Sequence, residues 1–185
     1  MDAIEALVTR KSSARLIAPA PNAEEMKVIM QAAVRAPDHG RLRPWRFLIV
    51  EGDAREKLGG IFREALHRRD PDAREDLLEK ERLKPLRAPM LIIVIAKVTE
   101  SPKIPPIEQY FSAAAAAQNI LLALHALGYG GMWRSGAPCF DPHVKDALGV
   151  EGDDMIVGFL YVGTADRAAA LLPETTADYV EIWNG

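Results

Sequence analysis

The sequence predicts an α+β chain in which helices cover both faces of a mixed, mostly antiparallel sheet. Three features carry that expectation. The runs Phe47 to Val50, Met90 to Ala96 and Ile156 to Val162 are short, apolar and rich in β-branched residues, as in strands covered on both faces. Between them lie stretches with helical periodicity, so helices must pack on the sheet. Finally, Pro106 to Leu127 is a helix with no side that prefers water: from Ala113 to Leu127 only Gln118, Asn119 and His125 are polar.

In chain order, Asp2 caps a first helix with Glu5 three residues on, and Ala3, Ile4, Leu7 and Val8 form its apolar face as far as Arg10. Asn22 and Glu25 repeat the capping pattern, and Met26, Ile29, Met30 and Ala33 recur at helical spacing until Pro37. A polar loop then leads to Pro44-Trp45 and the first strand. Residues 53–87 are heavily charged and read as two helices broken near Asp70-Pro71. The pairs Glu64/Arg68 and Asp76/Lys80 suit a solvated helical excursion, and a mobile lid is the alternative.

The long helix starts behind two prolines, which suit a first turn, and ends at Gly128, a ready C-terminal cap. About twenty residues at roughly 1.5 Å each give a rod near 30 Å. One protein layer covers one of its faces, and the small side chains Ala113 to Ala117 would admit a second helix, including that of a second copy. A membrane span is excluded because the apolar part falls short of the roughly 20 residues a bilayer requires. Tyr129 to Arg134 is a further strand, Asp141 to Leu148 a short capped helix, and Ile156 to Val162 the last strand. Residues 178–185 form a C-terminal arm. Its apolar part, Tyr179 to Trp183, must dock either on its own domain or on a partner.

A chain of 185 residues with net charge −3 fits one domain, 1–185, with a core that needs no metal or disulfide. The mixed charge recruits neither nucleic acid nor a membrane surface. A single cysteine, Cys139, excludes an internal disulfide, and no leader precedes the first helix, so the expected location is cytoplasmic. The histidines show no ligand spacing with each other or with Cys139, so no metal is expected.

Three clusters remain for chemistry. Arg10-Lys11-Ser12, with Arg15 close behind, supplies cations and hydroxyls suited to a phosphate, although basic residues at a helix end also complement the macrodipole. The second cluster runs from Arg35 through His39, Arg41 and Arg43 to Trp45, a donor-rich loop between two prolines that could line a pocket; taken alone, Trp45 reads as core and His39 as a surface histidine. The third, Gly128 to Gly136, contains Gly130, Gly131, Trp133, Arg134 and Ser135. It follows a helix and precedes a strand, the reverse of a dinucleotide fingerprint.

In order and spacing these clusters resemble the FMN-dependent nitroreductase family, most closely its small bacterial NAD(P)H nitroreductases. The likeness rests on Arg10-Lys11-Ser12, Ala36-Pro37 with Pro44-Trp45 eight residues on, the long helix, and the Gly130-Gly131-Met132-Trp133 turn. It implies a three-layer sandwich and a homodimer around the long helices, with FMN in clefts between subunits. Arg10, Lys11 and Ser12 would hold the phosphate and ribityl chain. Arg35, His39, Trp133, Arg134 and Ser135 would line the same cleft, some from the partner chain, and Ala123 falls where the family leaves room for a nicotinamide. Lys11 or Arg134 would favour the reduced, negatively charged flavin. The implied activity is ping-pong transfer of reducing equivalents from NAD(P)H to nitroaromatic or quinone-like acceptors, with no catalytic side-chain acid or base. A non-catalytic FMN-binding dimer, or another flavin reaction such as dehalogenation, stays open. Larger members carry Asn and Gln where this chain has Arg41 and Arg43.

Overall fold

A computed structural model describes residues 1–167, 170–171 and 175–185. The chain folds as α1 (Ala3–Thr9), β1 (Leu16–Ile17), α2 (Ala23–Ala33), β2 (Arg46–Glu51), α3 (Ala54–Arg69), α4 (Glu75–Arg82), β3 (Met90–Ala96), α5 (Pro106–Ala126), β4 (Gly130–Arg134), α6 (Ala137–Phe140), α7 (Pro142–Ala147) and β5 (Met155–Ala165). β3 is flanked by β2 and β5, and β5 also pairs with β1 and β4. All these pairings are antiparallel. The parallel contribution is a bridge between Ser12 and Gly131.

β3 explains the layering. All seven of its residues are buried, and their alternation sends Leu91, Ile93 and Ile95 to one core and Met90, Ile92 and Val94 to the other. The first core is closed by Leu58, Phe62 and Ala65 of α3 and by Val144 of α7. The second is closed by Met26, Ile29 and Ala33 of α2 and by Ala117, Ile120, Leu121 and Leu124 of α5. Burying a side chain of this size stabilises the fold by about 1.5–3 kcal/mol.

The charged segment is helical, as expected, and broken between Arg69 and Glu75, yet the inner stripe of α3 packs into the first core beside α7. The Glu64–Arg68 pair is present at 2.8 Å. The expected Asp76–Lys80 pair is not: Arg74, two residues away, takes Asp76 with a bidentate grip at 2.7 and 2.9 Å.

Helix ends follow the sequence closely. Asp2 Oδ1 accepts from Glu5 N–H, and Asn22 and Glu25 form a reciprocal capping box. Gly128 closes α5 with a positive φ of 87°, so that Tyr129 N–H reaches Leu124 O. β1 and α6 were not expected; both are too short for periodicity to register.

One face of α5 is covered, and of the alanine run Ala113, Ala116 and Ala117 are buried within the chain. The opposite face stays open at Ile107 and Phe111, the latter 63% exposed. The expected apolar face of α1 is also open, since Ile4, Leu7 and Val8 are exposed while Ala6 alone is buried. Among the described residues the C-terminal arm is exposed, Trp183 at 88%.

Candidate functional site

The first and third clusters meet at the C-terminal end of α5. Ser13 N–H donates to Gly131 O at 3.0 Å, which lays Ser12 alongside β4. The neighbouring Gly130 lets the segment come close, because a Cβ there would lie 3.0 Å from Ser13 Oγ and 2.7 Å from Leu16 Cδ2. Behind them, Thr9 Oγ1 lies 2.8 Å from His125 Nε2, which pins the end of α1 to α5. Arg10 and Lys11 are partly buried and Ser12 is exposed, so two cations and a hydroxyl share one small surface.

Burial and these cations both act on His125. Its pKa is lowered, first by burial and then by repulsion from Arg10 and Lys11, with Glu5 opposing. Arg10 and Lys11 thus add to the cost that burial places on a further cation here, which suits an anionic ligand. The donor set fits an FMN phosphate.

Farther along β4, Trp133 faces α5, and its indole N–H donates to Val157 O at 3.3 Å. Gly158 makes room for it, since a Cβ there would sit 2.1 Å from Trp133 Nε1. Arg134 points to the other side of the sheet, its guanidinium 5.6 Å from the Tyr161 ring centroid. Ser135 is exposed at the strand end. Ala123 is partly buried against the α5-side core. Cys139 is buried, and burial pushes its thiol up to about 11, so it is no nucleophile.

The second cluster lies elsewhere on the same chain. His39 Nδ1 is 2.7 Å from Glu108 Oε2, near the start of α5. Arg35, Arg41, Arg43 and Trp45 border a cavity of about 590 Å³. Asp38 organises this loop: its carboxylate accepts from Arg43 N–H at 2.7 Å, while Arg41 and Arg43 adopt positive φ of 56° and 50°. Such conformations are uncommon for residues with a Cβ, and sequence reasoning missed them because no glycine marks either position. His125 was likewise passed over, since only the fold brings it to Thr9.

His39 and His125 thus mark the two ends of one helix. Their partners on α5 and α1 leave residues 108 to 125 between the clusters, about 25 Å at roughly 1.5 Å per residue.

Comparisons with known proteins agree with this architecture. Residues 8–164 match the model of the Nitroreductase family. The chain is 41% identical over 170 residues to "Putative NAD(P)H nitroreductase YdjA" of Escherichia coli (strain K12), covering 92% of each chain. Its fold is similar to that of a nitroreductase-like family protein from Bacillus cereus, with a TM-score of 0.84, 24% identity, and coverage of 100% of this chain and 97% of the other. It is also similar to a nitroreductase with bound FMN from Bacteroides fragilis NCTC 9343, with a TM-score of 0.73, 22% identity and full coverage of both chains. The layered sheet, the bridge between Ser12 and Gly131, and the span of the match together establish that this chain belongs to the Nitroreductase family.

Proposed function

We propose that the chain acts as a cytoplasmic, homodimeric, FMN-dependent oxidoreductase that passes reducing equivalents from NAD(P)H to nitroaromatic or quinone-like acceptors. The observation that carries this is the separation of the two donor clusters along α5. Within one chain they lie about 25 Å apart, too far to grip one ligand. A second copy with its α5 antiparallel would bring the His39 end of one helix beside the Arg10 end of the other. It would also cover Phe111 and the open face of α1.

In that cleft Arg10, Lys11 and Ser12 bind the FMN phosphate and ribityl chain, while Trp133 and the backbone through Ser135 form the wall along the ring. Arg35 and His39 of the partner subunit close it, with Ala123 beside the nicotinamide. FMN supplies two-electron redox chemistry, and the protein binds, orients and excludes water. Lys11 or Arg134 is the cation favouring the reduced cofactor. Reductant and acceptor would occupy the same cleft in turn, so initial-rate lines with both varied should be parallel; intersecting lines would refute the ping-pong order.

Purified protein should be yellow and bleach with NAD(P)H. A yellow protein inert to nicotinamide would indicate a binding module, and a colourless one that cannot be reconstituted would remove the flavin. Arg10→Ala should weaken FMN retention at least about tenfold, because it deletes charge-assisted hydrogen bonds to phosphate. Unchanged occupancy would sink the phosphate assignment.

A further inference from the structure

The cavity of about 590 Å³ beside the second cluster is walled by Arg35, Arg41, Arg43, Asp38 and Trp45, with Val34 and Ala36 behind them. The flavin cleft proposed above engages Arg35 and leaves Arg41 and Arg43 without a role. All three arginines are exposed, and their guanidiniums make no hydrogen bond or ion pair among the described residues. The one carboxylate of the cavity, Asp38, is committed to the backbone, where it accepts from Arg43 N–H at 2.7 Å. Three cations against a single carboxylate leave the cavity with a surplus of two positive charges.

The loop that carries them is braced. Arg41 and Arg43 adopt positive φ of 56° and 50°, a conformation that residues with a Cβ keep only where the surroundings enforce it, and that recurs at ligand clamps. Asp38 enforces it twice, because its carboxylate takes Arg43 N–H while its carbonyl takes Arg41 N–H at 3.4 Å. Gly40, at φ 71°, lets the loop lie on Ile104, where a Cβ would fall 2.4 Å from Cδ1. Two guanidinium forks on such a loop suit a phosphomonoester, which carries close to two negative charges at neutral pH. Inorganic phosphate would leave most of the cavity empty, whereas a phosphate on a nucleoside would also bring a flat base near Trp45. Since the proposed cleft already gives the FMN phosphate its donors at Arg10 to Ser12, the monoester left for this loop is that of the other nucleotide the cleft receives.

We infer that Arg41 and Arg43 form a subsite for the 2′-phosphate of the reductant, on the rim of the flavin cleft, and so select NADPH over NADH; this rests on the nicotinamide-linked function proposed above. Calorimetric titration of the flavin-loaded protein with adenosine 2′,5′-bisphosphate and with adenosine 5′-monophosphate tests it, because the two nucleotides differ only in the 2′-phosphate. The bisphosphate should bind one per chain and about a hundredfold tighter, two charge-assisted contacts at about tenfold each. Arg41→Gln and Arg43→Gln should each remove about tenfold of that advantage with flavin content unchanged. Each should also lower the ratio of kcat/KM for NADPH over NADH by the same factor, through KM and not kcat. Both side chains are exposed and unpaired among the described residues, so neither substitution disturbs a core contact. Equal affinity for the two nucleotides would overturn the inference. So would an advantage that survives in the double variant, which would put the phosphate on other cations. Protein that NAD(P)H fails to bleach, but that prefers the bisphosphate until Arg41 and Arg43 are replaced, would sink the reductase reading and leave the subsite standing. Normal bleaching with equal affinities would do the reverse.

Discussion

At His125, burial and the cations of the candidate site act on one imidazole. Its folded pKa is lowered, so the unfolded chain, with an ordinary histidine near pH 6.5, binds the proton first as pH falls. Stability should therefore be unaffected by His125 above about pH 7 and lost on acidification between the unfolded and the lower folded value. In His125→Gln that part of the slope should vanish, as measured by thermal denaturation of flavin-free protein across pH. Because Arg10 and Lys11 supply part of the shift, a bound FMN phosphate should offset their repulsion and flatten the wild-type slope. A variant whose melting temperature tracks wild type in parallel at every pH would show that His125 does not sense these cations.

At the scale of elements, α2 and α5 are fastened together by polar contacts at their ends as well as by their apolar faces. The Asn22–Glu25 capping box opens α2, and Glu25 also accepts from Tyr129 Oη at 2.8 Å, just past the end of α5. Farther along, Asn119 Nδ2 donates to Ala32 O at 3.0 Å. Asn22→Ala should therefore cost about 1 kcal/mol by chemical denaturation; a loss near zero would mean that Glu25 and Tyr129 hold the helix start without the cap. The capping box was legible in sequence because both partners lie within four residues. So were α5, through its length and lack of polar residues, and β3, through its uninterrupted apolar run. What sequence could not reveal depended on distant partners. The inner stripe of α3 was hidden among charges, and Arg74 competed for Asp76 from outside the helical spacing. The contact of Arg134 with the Tyr161 ring depends on a register that only the pairing with β5 sets.

For the whole molecule, the unresolved matter on the surface is apolar. Ile4, Leu7 and Val8 on α1, Phe111 on α5, and Tyr179, Val180, Ile182 and Trp183 on the arm are all exposed on an isolated chain. Scattered apolar residues on a surface are ordinary, but an arm with four in five positions that touches no core of its own is not. If a second copy receives the arm, the arm should contribute both to association and to closing the cleft that holds FMN. Deleting residues 178–185 removes no core residue, so the truncated chain should keep its far-UV circular dichroism and unfold cooperatively. It should nevertheless dissociate at least about tenfold more readily in sedimentation equilibrium, since burying even one large side chain contributes about 1.5–3 kcal/mol. It should also release flavin at the concentrations where monomers form. Phe111→Asp, which places a charge on the open face of α5, should have the same two effects together. Dimers of undiminished strength in both variants would mean that the chains associate through another surface. Flavin retained by the monomer would show that one chain suffices to hold it, and the antiparallel pairing of α5 would have to be abandoned.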